Sequence, residues 1–272
     1  LSMSTLMTNK CIGFIGVGVM GSSIIKSLLK QSLSPDQICI SDKSAEKAQE
    51  LASGYKVKIK SILEIGQSCD VIFLAVKPQD LEAVLVELKK TLKPNVLVIS
   101  IAAGKKIEFI EEHLASDVSV VRVMPNTPAQ IGKGISAIAA GSKSSKEDMK
   151  VATELFLASG EVVEVAEEML DAVTALSGSG PAYFFNFVES MIKAGVDLGL
   201  SNEIATKLAI ETISGSAAML KESGLDAQTL RKNVTSPKGT TAAALQVFSD
   251  NNFDSLVLQA MSAAKKRAQE LA

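Results

Sequence analysis

A glycine pattern near the amino terminus constrains the fold more than any other feature of this sequence. Gly16, Gly18 and Gly21 form a G-x-G-x-x-G pattern that follows the apolar run Cys11–Ile15 and opens a segment with helix-spaced apolar residues. In a strand–loop–helix unit the first glycine permits a tight turn, the second lets a pyrophosphate approach the backbone, and the third lets the helix pack closely. Free N–H groups at the helix start then stabilise the phosphates. We therefore predict a dinucleotide-binding loop, because the alternative of a chance glycine turn does not explain why strand, loop and helix fall in this order.

The rest of the chain divides into two parts. Apolar runs alternate with helix-spaced segments up to about residue 166, and this βαβα order predicts an α/β, Rossmann-like, doubly wound domain over residues 10–166. Strand signals then vanish, and long helical patterns predict an all-α domain over residues 167–272. The predicted later strands are Val71–Val76, Val96–Ile101, Val118–Val123, Gly134–Ala140 and Glu161–Val165.

The second predicted strand, Gln37–Ser41, ends at Asp42. An acidic residue at this place commonly accepts hydrogen bonds from the adenosine ribose, which favours NAD. Asp42 lies 26 residues after Gly16, a spacing lengthened by the turn around Pro35. Lys43 and the neighbouring hydroxyls would suit the 2′-phosphate of NADP instead. The choice between NADPH and NADH therefore stays open, and so does a plain surface turn.

Further candidate residues follow the predicted strands, where ligands bind in open α/β sheets. Lys77, in the Ala75–Pro78 segment, suits cofactor phosphate or ribose, and Asn126 is a neutral polar group that can orient a carboxamide or a substrate. The alternative for each loop is ordinary turn chemistry.

Composition excludes several other classes of function. The chain has 28 basic and 30 acidic residues, so it lacks the basic surface of a nucleic-acid binder and the polybasic signal of a membrane binder. Its three cysteines lie far apart and give no disulfide framework, which indicates a reducing compartment. The one histidine, His113, is expected on a solvated helix, so no histidine-based zinc site or Ser-His-Asp centre is expected, and we predict no metal. With no signal peptide visible, we expect a cytoplasmic protein.

The segment Pro181–Leu200 is apolar almost all round its predicted helix. Such a helix must be surrounded by protein, and a domain of about 105 residues barely supplies that cover. We therefore predict a homo-oligomer with this helix at or near an interface; the alternative is the centre of a monomeric bundle.

A loop rich in hydroxyl groups, residues 234–242, precedes a helix in the second part of the chain. Thr240 or Thr241 is expected to cap this helix, and the N–H groups and hydroxyls around it would suit a carboxylate. A capped helix start without a ligand is the alternative.

Several motifs together make the chain resemble the Δ1-pyrroline-5-carboxylate reductase family. They are the glycine pattern, VKP at 76–78, MPNTP at 124–128, SGSGPAY at 177–183 and SPKGTTAAAL at 236–245. Their order and spacing match over essentially the whole chain from about residue 10, and the last motif is the most specific. The resemblance implies reduction of pyrroline-5-carboxylate to L-proline with NADPH or NADH, the last step of proline biosynthesis. It also implies that the helical domain forms an interlocked homodimer, with assembly of dimers into a larger oligomer left open.

The resemblance also implies roles for individual residues. Thr241 is expected near the ring nitrogen, where it would polarise or protonate it. One departure is Lys238, which stands where glycine is more usual and would either attract the carboxylate or point into solvent. The remaining implied positions are Ser236, Gly239, Thr240 and Thr241 for the substrate carboxylate, Gly16, Val17, Gly18, Val19, Met20 and Gly21 for the pyrophosphate, and Ala75, Val76, Lys77 and Pro78 with Asn126 for the nicotinamide side.

The implied chemistry agrees with what the chain lacks. The cofactor supplies the hydride and a protonated imine is already electrophilic, so neither a metal nor a nucleophile is required. A β-hydroxyacid dehydrogenase would need a lysine in a G-x-G-x-x-x-K pattern, where this chain has Phe184 after Gly178 and Gly180. A dinucleotide-binding sensor without catalysis would have no need of the Ser-Gly-Thr-Thr loop.

Overall fold

The computed structural model of the protein describes residues 5–115 and 117–272. Among these residues, eight strands form one sheet in the order β3-β2-β1-β4-β5-β6-β7-β8. The strands are β1 (Ile12–Ile15), β2 (Ile38–Ser41), β3 (Lys58–Ile59), β4 (Val71–Leu74), β5 (Leu97–Ser100), β6 (Ser119–Met124), β7 (Gly134–Ala140) and β8 (Gly160–Glu164).

The sheet confirms the predicted Rossmann-like, doubly wound fold. Strands β3 to β6 are all parallel and follow the 3-2-1-4-5-6 order of dinucleotide-binding domains. Strand β7 runs antiparallel to β6, and β8 runs parallel to β7. The order reverses between β1 and β4, so the crevice in which such sheets bind ligands lies at their carboxyl ends.

Helices cover both faces of the sheet because its central strands are apolar on both sides. Strands β1, β4 and β5 are buried along their whole length, as expected for parallel strands between helical layers. On one face the rings of Phe14 and Phe73 stack with centroids 4.4 Å apart, and Phe156 packs beside them. The helices of this part are α1 (Val19–Lys30), α2 (Ala45–Tyr55), α3 (Ile62–Ser68), α4 (Leu81–Leu88), α5 (Ile107–His113) and α6 (Lys146–Leu157).

The remainder of the chain is helical, as predicted. A π-helical turn at Thr174–Gly178 follows the short α7 and precedes the long α8. The helices are α7 (Leu170–Val173), α8 (Gly180–Asp197), α9 (Asn202–Glu222), α10 (Ala227–Asn233), α11 (Thr240–Asp250) and α12 (Phe253–Glu270).

The described chain forms two compact units. The first comprises the residues up to 179 together with 264–272, and the second comprises 180–263. The domain bounds 10–166 and 167–272 stay predictions.

Helix α8 carries large apolar side chains that the chain itself leaves exposed. Phe184 is 61% exposed and Phe185 is 69% exposed, although aromatic side chains of this size usually dominate cores and interfaces. This agrees with the prediction that α8 needs cover from another copy of the chain. Within the part that the structure describes, no helix combines the length and apolar character that a membrane span requires.

Two local predictions differ from the structure. The sequence analysis predicts neither the strand β3 nor the helix α3, because β3 has only two residues and α3 only seven. His113 ends α5 as expected but is half-buried rather than solvated. Its ring packs on Phe109 with centroids 4.4 Å apart, and its Nδ1 lies 2.8 Å from the Phe109 carbonyl oxygen.

Candidate active site

The glycine loop joins β1 to α1, where the sequence predicts it. Gly16 has φ +97°, and a Cβ there would lie 2.5 Å from the Ala75 carbonyl oxygen, so only glycine fits. A Cβ on Gly21 would lie 2.9 Å from the Gly16 carbonyl oxygen, so this glycine allows α1 to begin close to the loop. By contrast, a Cβ on Gly18 would meet nothing within 4 Å. The loop therefore presents open backbone at the start of α1 and fits a dinucleotide pyrophosphate.

Asp42 lies beside this loop and is bound to its backbone. One carboxylate oxygen accepts a hydrogen bond from Val17 N at 2.9 Å, and the other accepts from Ser44 N at 2.8 Å. Asp42 thus fixes the glycine loop to the end of β2. Because each oxygen can accept a second hydrogen bond, Asp42 remains able to bind a ribose hydroxyl.

Lys43 forms an ion pair with a second acidic residue, Asp80. Its Nζ lies 2.8 Å from Asp80 Oδ2, and its side chain is 73% exposed. An exposed pair of this kind is weak, so Lys43 can exchange Asp80 for a phosphate at small cost. Asp80 is a residue that the sequence does not point to, because its position at the end of the 3-10 turn Pro78–Asp80 gives no signal of this contact.

The segment after β4 lies against the glycine loop. Ala75 N donates to the Ile15 carbonyl oxygen at 2.8 Å, and Ala75 backbone atoms are the ones that a Cβ on Gly16 would strike. Val76 and Pro78 are half-buried, whereas Lys77 is exposed. The segment Ala75–Pro78 is therefore adjacent to the predicted pyrophosphate loop, on the other side of the reversal in strand order.

Asn126 follows β6 and is buried. Its Oδ1 accepts a hydrogen bond from Ile135 N at 2.9 Å, which fixes the connection from β6 to β7. The adjoining 3-10 helix, Thr127–Ile131, packs against α1. Among the described residues the amide nitrogen of Asn126 has no hydrogen-bond partner, so it is the group that remains for a ligand.

The second predicted site lies in the helical unit, in the loop before α11. Gly239 N donates to the Ser236 carbonyl oxygen at 3.0 Å, and Lys238 between them has φ +61°. With Pro237 at its second position, this is the pattern of a type II β-turn, whose third position favours glycine. Lys238 therefore occupies a left-handed position, which accounts for the glycine that the resemblance leads one to expect there.

The predicted cap of α11 is wrong by one residue. Gly239, and not Thr240 or Thr241, is the N-cap, and no side chain caps the helix. A Cβ at Gly239 would lie 2.4 Å from Ser236 Oγ, so the turn brings the Ser236 hydroxyl next to the helix start. Thr240 and Thr241 are the first two helical residues, and their N–H groups belong to the four that an α-helix leaves without an internal partner. Ser236, Gly239, Thr240 and Thr241 are thus brought together around one helix N-terminus, which suits an anion.

Family comparisons agree with this arrangement. A family model described as pyrroline-5-carboxylate reductase dimerisation matches residues 167–271, and one described as NADP oxidoreductase coenzyme F420-dependent matches residues 11–104. The pyrroline-5-carboxylate reductase of Pseudomonas aeruginosa is 42% identical over 98% of this chain and 98% of the relative. That of Arabidopsis thaliana is 37% identical over 96% and 95%.

Solved structures give the same result. A pyrroline-5-carboxylate reductase from Coxiella burnetii is 35% identical, with a TM-score of 0.92 over 97% of this chain and 99% of that one. The pyrroline carboxylate reductase of Plasmodium falciparum with NADP bound is 34% identical, with a TM-score of 0.86 over 97% and 98%. Because relatives this similar match along nearly the whole length, the resemblance is confirmed: the chain belongs to the pyrroline-5-carboxylate reductase family.

Proposed function

We propose that this protein reduces 1-pyrroline-5-carboxylate to L-proline with NADPH or NADH, the last step of proline biosynthesis. The observation that carries the proposal is that one chain of this family holds both a dinucleotide loop, in which Gly16 is sterically required, and an anion-binding turn at a helix start. The first suits the cofactor, and the second suits the carboxylate of a small substrate.

The cofactor would lie across the reversal in strand order between β1 and β4. The loop of Gly16, Val17, Gly18, Val19, Met20 and Gly21 would surround its pyrophosphate, with N–H groups at the start of α1 as the donors. Gly16 N and Val17 N already donate to the Ser41 carbonyl oxygen and to Asp42, so these two residues would shape the loop rather than donate to the phosphates. Asp42 would bind the ribose of NADH, while Lys43, freed from Asp80, would bind the 2′-phosphate of NADPH. Ala75, Val76, Lys77 and Pro78 would line the nicotinamide side, with Asn126 offering its amide nitrogen.

The substrate carboxylate would bind at the start of α11. Hydroxyl groups of Ser236 and Thr240 and the N–H groups after Gly239 would neutralise its charge, aided by the positive end of the helix dipole. Thr241 Oγ1 would hydrogen-bond the ring nitrogen and would polarise or protonate it, directly or through a water. These contacts would hold the imine carbon in one orientation, which lowers the entropic part of the barrier.

When bound, the nicotinamide supplies the hydride that adds to C5 of the ring. The chain then has to orient the ring, exclude water and hold a proton at the ring nitrogen, and none of these tasks needs a metal or a nucleophilic side chain. The two alternatives have less support. Phe184 replaces the lysine that a hydroxyacid dehydrogenase needs, and a sensor without catalysis gives no reason for the turn Ser236–Gly239.

We further propose that the active form is a homodimer built through the helical unit, and that dimers can assemble further. The exposed aromatic side chains of α8 support this proposal, because several large apolar side chains exposed on one helix are typical of a protein–protein interface. Cytoplasmic location is proposed because the three cysteines are free thiols, as in a reducing compartment.

The decisive assay follows the loss of NADPH and NADH absorbance, in parallel, with 1-pyrroline-5-carboxylate as substrate. We expect rapid oxidation of at least one cofactor, with L-proline as the product. Cofactor binding without oxidation of either one would contradict the proposal and favour a sensor.

The role of Thr241 is tested by comparing Thr241→Ala with Thr241→Ser. We expect the alanine variant to lose about 10²–10⁴-fold in kcat, the usual range for a group that transfers a proton, and the serine variant to recover most of it. Unchanged kcat in Thr241→Ala would contradict the role while leaving the overall function intact.

A further inference from the structure

Three cysteines that lie far apart in the sequence are close together at the amino ends of β1, β2 and β4. Cys11 precedes β1, Cys39 lies in β2, and Cys69 ends α3 just before β4. The Sγ atom of Cys11 is 3.1 Å from that of Cys69 and 3.8 Å from that of Cys39, and all three lie within 4.8 Å of one another. We call these residues the thiol cluster.

The thiol cluster is separate from the proposed active site. Cys11 lies before β1 and Gly16 lies after it, so the cluster occupies the amino end of strands whose carboxyl ends hold the cofactor loop. At about 3.3 Å per residue, the four residues of β1 separate the two sites by roughly 13 Å. The reaction proposed above uses none of the three thiols.

The backbone makes room for this cluster. Gly13 is the residue paired with Cys39 between β1 and β2. A Cβ on Gly13 would lie 3.0 Å from Cys69 Sγ and 2.5 Å from Ile65 Cγ2. A glycine inside a strand costs stability unless something must approach closely, and here the approaching groups are the Ile65 side chain and the Cys69 thiol.

The thiol cluster lies in a largely buried place, because Cys39 and Cys69 are buried and Cys11 is half-buried.

We propose that Cys11, Cys39 and Cys69 bind one monovalent copper ion as three thiolate ligands. Thiolate-only sites select soft metals such as Cu(I). Three sulfur atoms that each lie about 2.3 Å from a central ion in one plane are about 4 Å from one another. The Cys11–Cys39 and Cys11–Cys69 sulfur separations, 3.8 and 3.1 Å, are somewhat shorter than this value. Small shifts of the side chains would complete the site.

The donor set favours copper over zinc. Among the described residues, no histidine or carboxylate belongs to this cluster, whereas structural zinc sites have four protein ligands. The neighbouring carboxylate of Asp70 is already bound, to Cys11 N at 2.7 Å and to Lys93 Nζ at 2.6 Å. Three thiolates without a fourth ligand suit Cu(I), which accepts three sulfur ligands in a plane. On binding, the thiol protons leave to solvent and no electron is transferred.

Bound copper would join β1, β2 and the end of α3, and it would stabilise the folded chain because the unfolded chain lacks the preformed site. The test is an anaerobic titration of the reduced full-length protein with Cu(I) in competition with a chromophoric Cu(I) chelator. We expect one ion per chain, ultraviolet sulfur-to-copper charge-transfer absorption, and a higher Tm. Binding of Zn(II) with equal or greater affinity in the same buffer would overturn the assignment.

Variants identify the ligands. Cys11→Ser, Cys39→Ser and Cys69→Ser should each weaken Cu(I) binding at least tenfold. Ser68→Ala should bind normally, since its hydroxyl lies 3.9 Å from Cys69 Sγ without belonging to the ligand set. Circular dichroism and NADPH-dependent activity without copper check that each variant folds. Retained affinity in any one of the three serine variants would overturn the three-ligand site, as would failure of the reduced wild type to compete with the chelator. A Cys11–Cys69 disulfide that persists after anaerobic treatment with reductant would also overturn it, because it removes two of the ligands.

Discussion

Lys238 has a backbone conformation that is unfavourable for a residue with a side chain. Its φ of +61° lies in the left-handed region, which costs a residue with a Cβ about 1–2 kcal/mol. Lys238 lies in the turn between Ser236 and the start of α11, so its positive charge is close to the proposed carboxylate site. This charge gives a functional reason for a lysine at a position that favours glycine. Lys238 is exposed, so any attraction for a substrate carboxylate acts through solvent.

We predict that Lys238→Gly raises stability and weakens substrate binding. The free energy of unfolding should rise by about 0.5–1 kcal/mol, since relief of strain outweighs the larger entropy of glycine in the unfolded chain. KM should rise about two- to fivefold at low salt, the value of one exposed charge interaction, and the effect should shrink at high salt. Urea unfolding and initial rates measure the two effects.

Lys238→Asn is the matched variant, because asparagine tolerates the left-handed conformation but carries no charge. It should share the higher KM. A KM equal to that of the wild type in both variants would mean that Lys238 points into solvent and takes no part in binding.

Asp70 gives the chain a pH-dependent contribution to stability. Burial disfavours its charge, but hydrogen bonds from Lys93 and from Cys11 N hold the pKa of Asp70 below its usual value. A carboxyl group with a lowered pKa in the folded state stabilises the protein above its unfolded pKa of about 4, and this contribution is lost as the pH falls through the folded pKa.

We therefore predict that Asp70→Asn lowers the free energy of unfolding at pH 7 and that its difference from the wild type shrinks as the pH falls from about 5 to 3. Urea unfolding across this range measures the difference. Asp36→Asn is the control, because the Asp36 side chain is 82% exposed, and it should change little at either pH. A difference for Asp70→Asn that does not depend on pH would contradict the argument.

At the residue scale, the sequence predicts a site residue correctly where only one residue type can fill the physical role. Gly16 was predicted from the pattern and is the position where a Cβ would strike Ala75. Sequence reasoning failed where the partner is remote in the chain, as with Asp80 beside Lys43 and the three thiols, because only the fold brings them together. The Gly239 cap was missed because glycine offers no side chain to mark it.

At the scale of elements, a partly buried ion pair joins the sheet to the start of the helical segment. Arg122 in β6 lies 3.1 Å from Glu167, and their side chains are 10% and 28% exposed. The same Glu167 oxygen accepts a hydrogen bond from Ile107 N at 2.7 Å, at the start of α5. Glu167 therefore connects β6, α5 and the residues before α7.

We predict that Glu167→Ala lowers the free energy of unfolding by about 3–5 kcal/mol, since it leaves the buried guanidinium of Arg122 without its partner. Chemical denaturation of the purified protein measures the loss. Lys58→Ala removes one side of the exposed Lys58–Asp36 pair and should cost less than about 1 kcal/mol. Equal losses in the two variants would contradict the special role of Glu167.

Most elements were predictable because they are long or strongly apolar. The continuous apolar run between Asp70 and Pro78 predicts the buried strand β4, and the long apolar stretch from Pro181 predicts the helix α8. The elements that were missed, β3 and α3, are short: both residues of β3 are exposed, and of α3 only Ile65 and Gly66 are buried. The antiparallel direction of β7 was not predictable either, because an apolar run does not encode the direction in which it pairs.

At the scale of the whole molecule, most of the large apolar side chains that are exposed lie in the helical unit, residues 180–263. Exposure of so many apolar side chains to water is unfavourable. Many large apolar residues of the helical unit are at least 40% exposed, among them Phe185, Leu198 and Leu256. Burying them against a second copy of the chain would contribute about 25 cal/mol for each Å² of apolar surface removed from water.

We predict that Phe185→Glu shifts the assembly toward monomer. Burying a Phe side chain contributes about 1.5–3 kcal/mol, and its replacement also places a charge in an apolar interface, so the dissociation constant should rise by at least tenfold. Sedimentation velocity over a dilution series measures the shift. Val86→Glu is the control, since Val86 in α4 is 53% exposed but lies outside the helical unit, and its assembly should match the wild type. A wild type that sediments as a monomer, or equal dissociation in both variants, would mean that α8 is not the assembly surface.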